Sequence, residues 1–211
     1  MAKTWDKFYD DLLTDVPGCP QPLAKNAVKQ AAIEFCERSF VYQVDHAPID
    51  AVADQGEYTF APGANLKVVR PERVWYDKKT LTAKTPQEID LLYAYWPDES
   101  GTPLYFVQER LEKLILVPKP SAALVGAIIA KVSVKPARAA TDIDDALWEK
   151  YLEIITSGAK ARLFAMKKKP WTDTTLSGYH SDIYDNGIAK AKVAATRGHG
   201  RARMRTTAHF F

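Results

Sequence analysis

Four histidines, an aspartate run, a short glycine pattern and a lysine run are the residues whose types and spacing could do chemistry. His46, His180, His199 and His209 include no pair at i, i+4, the spacing that sets two imidazoles on one helical face to hold a metal. Satisfied or exposed histidine is the plainer reading. Asp142-Ile143-Asp144-Asp145 with Glu153 imitates part of a calcium loop. Such a loop needs glycine at its sixth position and an oxygen ligand at its fifth. Leu147 and Ala146 stand there instead, so the aspartates read as caps and charges at a helix start. Gly198-His199-Gly200 begins a GxG, but no third glycine and no strand-to-helix context accompany it, so a nucleotide fingerprint is unsupported. There is no Walker A sequence and no G-x-S-x-G elbow. Carboxylates are plentiful, yet the sequence does not pair them in space. Lys167, Lys168 and Lys169 could touch phosphate; a solvated helix end, favoured by the helix dipole, is the better reading. The expectation is a protein without enzymatic activity, metal or cofactor.

The C-terminal segment says more. From Arg197 onward there are four arginines (Arg197, Arg201, Arg203, Arg205) and no acid. Without them the chain has 25 basic against 26 acidic residues, so the whole positive excess of a net +3 lies in this segment. Arg201, Arg203 and Arg205 alternate with Ala202, Met204 and Thr206, and an extended chain would point all three the same way. The sequence finishes on Phe210-Phe211, two aromatics that are costly to leave in water. Three readings compete: disorder, phosphate binding, or ordering on a protein partner. The aromatic ending favours the third, and arginine suits a desolvated, two-point ion pair better than lysine does.

Behind these residues stand elements of two periods. Trp5, Phe8, Tyr9 and Leu12 form a helical stripe with Thr4 as its cap. After a Pro/Gly turn, Leu23, Ala24, Ala27, Val28, Ala31, Ala32, Phe35 and Cys36 repeat at helical spacing from Pro22. Short β-like runs follow at 57–60, 66–69, 73–76, 105–108, 114–117 and 128–134. One helix interrupts them: Thr85-Pro86-Gln87-Glu88 reads as a capping box, opening a helix expected to run to about Tyr95. Beyond Pro136, Leu147, Tyr151, Ile154, Ile155, Gly158, Ala161 and Ala165 make one apolar helical face. Asp173 then caps a last helix that Gly198 would end. Gly158, Ala159, Gly187 and Ala191 would let these two helices approach closely.

The expected fold class is α+β: a helical bundle built from the N- and C-terminal helices, with a small inserted β-rich domain and an extended C-terminal tail. Residues 1–45 and 139–197 form the two halves of the bundle, 46–138 the insertion, and 198–211 the basic docking tail. At 211 residues and 46% hydrophobic the chain can bury a sizeable core. No apolar stretch is long enough for a transmembrane helix, and the opening residues lack the apolar segment of a secretory signal. Cys19 and Cys36 have no metal-like spacing and read as reduced thiols.

Trp5 with Val16-Pro17-Gly18-Cys19-Pro20, then Ala31-Ala32-Ile33-Glu34-Phe35-Cys36-Glu37-Arg38-Ser39, resembles the head-to-tail adaptor (connector) proteins of tailed bacteriophages. So do Gly101-Thr102-Pro103-Leu104-Tyr105-Phe106, Leu116-Val117-Pro118-Lys119-Pro120, Gly158-Ala159-Lys160-Ala161-Arg162-Leu163 and Lys169-Pro170-Trp171. The enlarged β region is similar to that of short-tailed phage adaptors. The resemblance implies a virion structural protein at the head–tail junction, assembled in the host cytoplasm. It implies a homo-oligomeric ring, twelvefold in such adaptors, between a portal protein and a tail or nozzle protein. Double-stranded DNA would pass through the lumen without sequence-specific binding, and no membrane is involved. Carried onto this sequence, the portal-docking tail comprises Arg197, Arg201, Arg203, Arg205, Phe210 and Phe211. The alternative is a nucleic-acid-binding protein that uses the same basic tail.

Overall fold

A computed structural model describes residues 2–197. In chain order the strands are β1 (Ala2–Thr4), β2 (Gln43–Asp45), β3 (Ile49–Ala51), β4 (Glu57–Thr59), β5 (Leu66–Tyr76), β6 (Lys79–Thr80), β7 (Thr82–Ala83), β8 (Ser100–Gly101), β9 (Tyr105–Val107), β10 (Lys113–Val117), β11 (Lys119–Pro120), β12 (Leu124–Pro136) and β13 (Asp142–Asp144). The helices are α1 (Tyr9–Leu13), α2 (Gln21–Ser39), α3 (Pro86–Asp90), α4 (Asp145–Phe164) and α5 (Thr174–Arg197). The chain divides into two compact units, one made of residues up to Tyr42 and from Arg138 onward, the other of Gln43–Ala137.

The expected class is corrected by this arrangement. The protein is mixed α and β, with five α-helices against thirteen strands among the described residues, and is not a helical bundle carrying a small insertion. Nearly half the chain is the β-rich unit, and the helical unit has strands of its own. β1 pairs antiparallel with β13, Lys3 opposite Ile143. Such two- and three-residue strands carry too little periodicity to be read from sequence.

In the helical unit, Trp5 and Phe8 lie on a 3-10 turn, and with Leu12 they are fully buried. Thr4 stands at the cap position but makes no side-chain capping bond. Trp5 Nε1 donates to Ala140 O at 3.0 Å, tying the two ends of the discontinuous unit together. α2 buries Ala24, Ala27, Val28, Ala31, Ala32, Phe35 and Cys36, and Pro22 occupies its first turn. α4 kinks at Tyr151 (φ −126°, ψ 15°), whose ring centre lies 4.9 Å from that of Phe35. Asp173 Oδ1 accepts from Thr175 N and Leu176 N, both at 2.9 Å, and so caps α5. Gly198, expected to end that helix, lies outside the described residues.

In the β-rich unit, β12 pairs with β2, β3 and β5. The sequence read β5 as two runs because Pro71 interrupts it. The register shifts between Lys131 and Val132, leaving Glu72 as an extra residue beside Pro71. A bulge accommodates a proline that has no N–H for the ladder. A second sheet has the order β4-β10-β9-β7. Against it pack Ile89, Tyr93 and Trp96. The capping box exists: Glu88 N donates to Thr85 Oγ1, and Thr85 N to Glu88 Oε2 at 2.8 Å. α3 nevertheless stops at Asp90, well before Tyr95. No helix among the described residues is long and apolar enough to cross a membrane.

Candidate functional site

The arginine-rich segment expected to dock on a portal meets the described structure at one residue. Arg197 is exposed and is the last residue of α5. Arg201, Arg203, Arg205, Phe210 and Phe211 lie outside the described residues, as do His199 and His209. Arg197 belongs to α5, which packs with α2 and α4.

α5 buries Tyr184, Gly187, Ile188 and Ala191. Tyr184 Oη donates to Ala31 O on α2 at 2.6 Å, while its ring lies against Gly158 of α4. Around it a cleft of about 390 Å³ is lined by Glu34, Arg38, Arg162 and Asp185. Its charges are spent on one another. Arg38 reaches Glu34 Oε1 at 2.9 Å and Asp185 Oδ1 at 2.7 Å, and Arg162 pairs with Glu34 Oε2. Burial lowers the Arg38 guanidinium, but its hydrogen bonds to Glu34 and Asp185 outweigh this and hold it above its usual value. The arrangement fastens α2, α4 and α5 together through these charged side chains.

The largest shifts point the same way. Burial pushes the Cys36 thiol and the Tyr184 phenol far up, and burial followed by Asp144 pushes Tyr42 up to about 12. Each is moved away from ionisation near neutral pH, the opposite of what a nucleophile or general base requires. A second cleft, of about 340 Å³, gathers Asp10, Asp11, Asp15 and Glu153, with Lys160 Nζ 2.5 Å from Asp15. Among the described residues no group of three His, Cys, Asp or Glu is placed to hold a metal. Asp144 caps α4 through Ala146 N at 2.9 Å, and Asp145 lies 3.4 Å from Lys3. In the β-rich unit a cleft of about 530 Å³ is lined by Arg70, Glu72, Lys84, Glu88 and Gln108, where Arg70 pairs with Glu72 at 2.8 Å and Lys84 with Glu88 at 3.3 Å.

His46 is satisfied on both sides. Ala61 N donates to Nε2 at 2.8 Å, so Nδ1 carries the proton and donates to Ala47 O at 2.6 Å. His180 stacks on Phe164 and meets Tyr179 edge-on. The ion pairs of Glu34 with Arg162 and of Arg38 with Asp185 escaped sequence reasoning. Only the i, i+4 spacing of Glu34 and Arg38 signalled any part of them.

Four of the segments that carry the adaptor resemblance touch one another in pairs. Ala31, Glu34 and Arg38 from one meet Gly158 and Arg162 from another around Tyr184. Tyr105 and Phe106 pair with Val117 and Leu116, and Gly101 with Pro120. The motifs are contacts that hold each unit together, spaced as packing demands and without the clustering of a catalytic signature. The chain belongs to the SU10 adaptor protein family, whose model matches residues 6–207, a family of phage adaptors that are virion components and not enzymes. The match takes in Arg197, Arg201, Arg203 and Arg205 and stops short of Phe210 and Phe211. No curated protein gives a significant match.

Proposed function

We propose that the chain is a head-to-tail adaptor that forms a homo-oligomeric ring, joins the portal protein to a tail or nozzle protein, and lets double-stranded DNA through its lumen. The observation that carries this is the family match over nearly the whole chain. Residues 197–211 dock on the portal. Their four arginines with no acid, and the closing Phe210-Phe211, supply ion-pairing groups and an apolar anchor. α5, clamped at Tyr184, supplies a fixed base for that segment.

The test is binding of the purified portal by the full chain and by a chain lacking residues 197–211. Loss of binding with an unchanged melting transition is the expected result; full-affinity binding by the truncated chain overturns the docking assignment. The same arginines favour a second reading, nucleic-acid binding through phosphate contacts. Phe210→Ala with Phe211→Ala separates the two. Phosphate binding tolerates that double change, and portal docking does not.

A further inference from the structure

α4 ends at Phe164 with Ala165 in the capping position, so Lys167, Lys168 and Lys169 stand beyond its last turn, and all three are exposed. Arg162 is the basic residue of that last turn. The lysines sit on a tied turn: Met166 N donates to Leu163 O at 3.1 Å, Lys169 N to Thr172 Oγ1 at 3.0 Å, and Asp173 N to Phe164 O at 3.1 Å. Lys168 adopts φ 59°, a left-handed conformation that glycine or asparagine takes more easily. Three like charges are thus presented together on fixed backbone. Beside them in sequence, at the start of α5, Leu176 and Tyr179 are 41% and 60% exposed. Exposed lysines followed closely in sequence by an exposed leucine and tyrosine suit a partner that is both acidic and apolar.

The β-rich unit carries such a surface. Ile89, Tyr93 and Trp96 pack inward, while Leu91, Leu92 and Tyr95 are 87%, 51% and 65% exposed. Trp96 Nε1 donates to Asp90 Oδ1 at 2.9 Å, and the capping box fixes where the segment starts. Glu88 is paired with Lys84 at 3.3 Å, and residues 89–100 add Asp90, Asp98 and Glu99 with neither lysine nor arginine.

We propose that the lysine turn with Leu176 and Tyr179 on one copy docks on the acid-rimmed segment 88–99 of a second copy. This rests on the ring reading above and names the contact between neighbours. The two halves differ, so the interface is heterologous, the kind that repeats around a ring. It leaves residues 197–211 free for the portal. Phosphate contact would use the lysines but would gain little from an exposed leucine and tyrosine, and so a protein partner is favoured.

The experiment measures the mass distribution of the full chain over a concentration series, alone and with the portal present. One variant carries Lys167→Glu, Lys168→Glu and Lys169→Glu. A second carries Asp98→Lys and Glu99→Lys, sparing Glu88 and Asp90, which hold the fold of their segment. A third carries all five changes. Each of the first two should weaken association about tenfold, the third should regain most of it, and all should melt like the parent. Unchanged association in either single set, or no recovery when they are combined, overturns the proposal while leaving the ring reading standing. Parent chains that never associate overturn both. The lysine variant is also tested for retention of a DNA duplex, and reduced retention with assembly intact overturns the proposal in favour of phosphate contact.

Discussion

The Tyr184 ring fills the space that a side chain at Gly158 would need: a Cβ there would stand 2.6 Å from both Cδ2 and Cε2. The relation is reciprocal along the same pair of helices. A Cβ on Gly187 of α5 would stand 2.5 Å from Ile154 Cγ2 of α4. Each helix gives up one side chain to receive one from its partner. The Tyr184 hydroxyl then reaches past α4 to bond Ala31 O on α2. One tyrosine therefore locates three helices.

Gly158→Ala is expected to destabilise the protein by about 1–2 kcal/mol, since overpacking outweighs the gain in helix propensity. Tyr184→Phe, which keeps the ring and loses the bond to Ala31, should cost about 1 kcal/mol. Gly187→Ala should be harmful in the parent and nearly harmless in an Ile154→Ala background. Urea unfolding of the four members of that cycle gives the coupling energy, and additive effects would show that the contact is not what holds the helices apart.

The Glu88 carboxylate accepts from Thr85 N and Thr85 Oγ1 and pairs with Lys84. These bonds, the backbone one first, hold its carboxyl below the usual glutamate value. A depressed folded value means that the cap stabilises α3 above the ordinary glutamate range and loses that contribution as pH falls through the folded midpoint. In an NMR titration the Glu88 midpoint should be low, and Thr85→Ala should raise it. A midpoint unmoved by that change would remove the Thr85 hydroxyl as a cause and leave the backbone N–H and Lys84.

The capping box could be read from sequence because its members lie within four positions and their chemistry is local. The length of α3 could not. Leu91, Leu92, Tyr93, Tyr95 and Trp96 continue an apolar run that resembles a helix, and only their contacts decide that Tyr93 and Trp96 face the β9–β10 sheet while the others face out. Small residues at 158 and 187 announced close helix approach, since a missing side chain leaves room whatever fills it. The pairing of Glu34 with Arg162 spans 128 positions and follows from tertiary packing alone. Pro71 misled the reading of β5, because a bulge lets a strand continue through a residue that would otherwise end it. For the docking tail, composition and alternation remain the source of the assignment beyond Arg197.

Cys36 is fully buried on α2 and Cys19 is 8% exposed, both as free thiols. Burial pushes both thiols up from their ordinary value. A thiol-specific reagent at pH 7.5 should therefore leave Cys36 untouched, modify Cys19 slowly, and titrate both once denaturant is added. Peptide mapping of the labelled sites checks this. Rapid native-state labelling of Cys36 would mean that α2 separates from its neighbours far more readily than its packing allows.

His180 stacks on Phe164 at 5.7 Å between ring centres and meets Tyr179 at 5.2 Å, with Nδ1 buried and without a hydrogen-bond partner among the described residues. Burial, then Lys160, lowers its pKa below the ordinary histidine value, against a smaller opposing pull from Asp15. In the unfolded chain the imidazole recovers its ordinary value near pH 6.5. Between the two values the unfolded state binds more protons, so stability rises with pH through that window and falls on acidification below about pH 6.5. His180→Phe keeps the stacking and removes the proton. Its urea midpoint should be flatter than that of the parent from about pH 6.5 downward, until the carboxylates begin to titrate. Equal slopes in the two proteins would assign the acid sensitivity to other groups and leave His180 as a packing residue only.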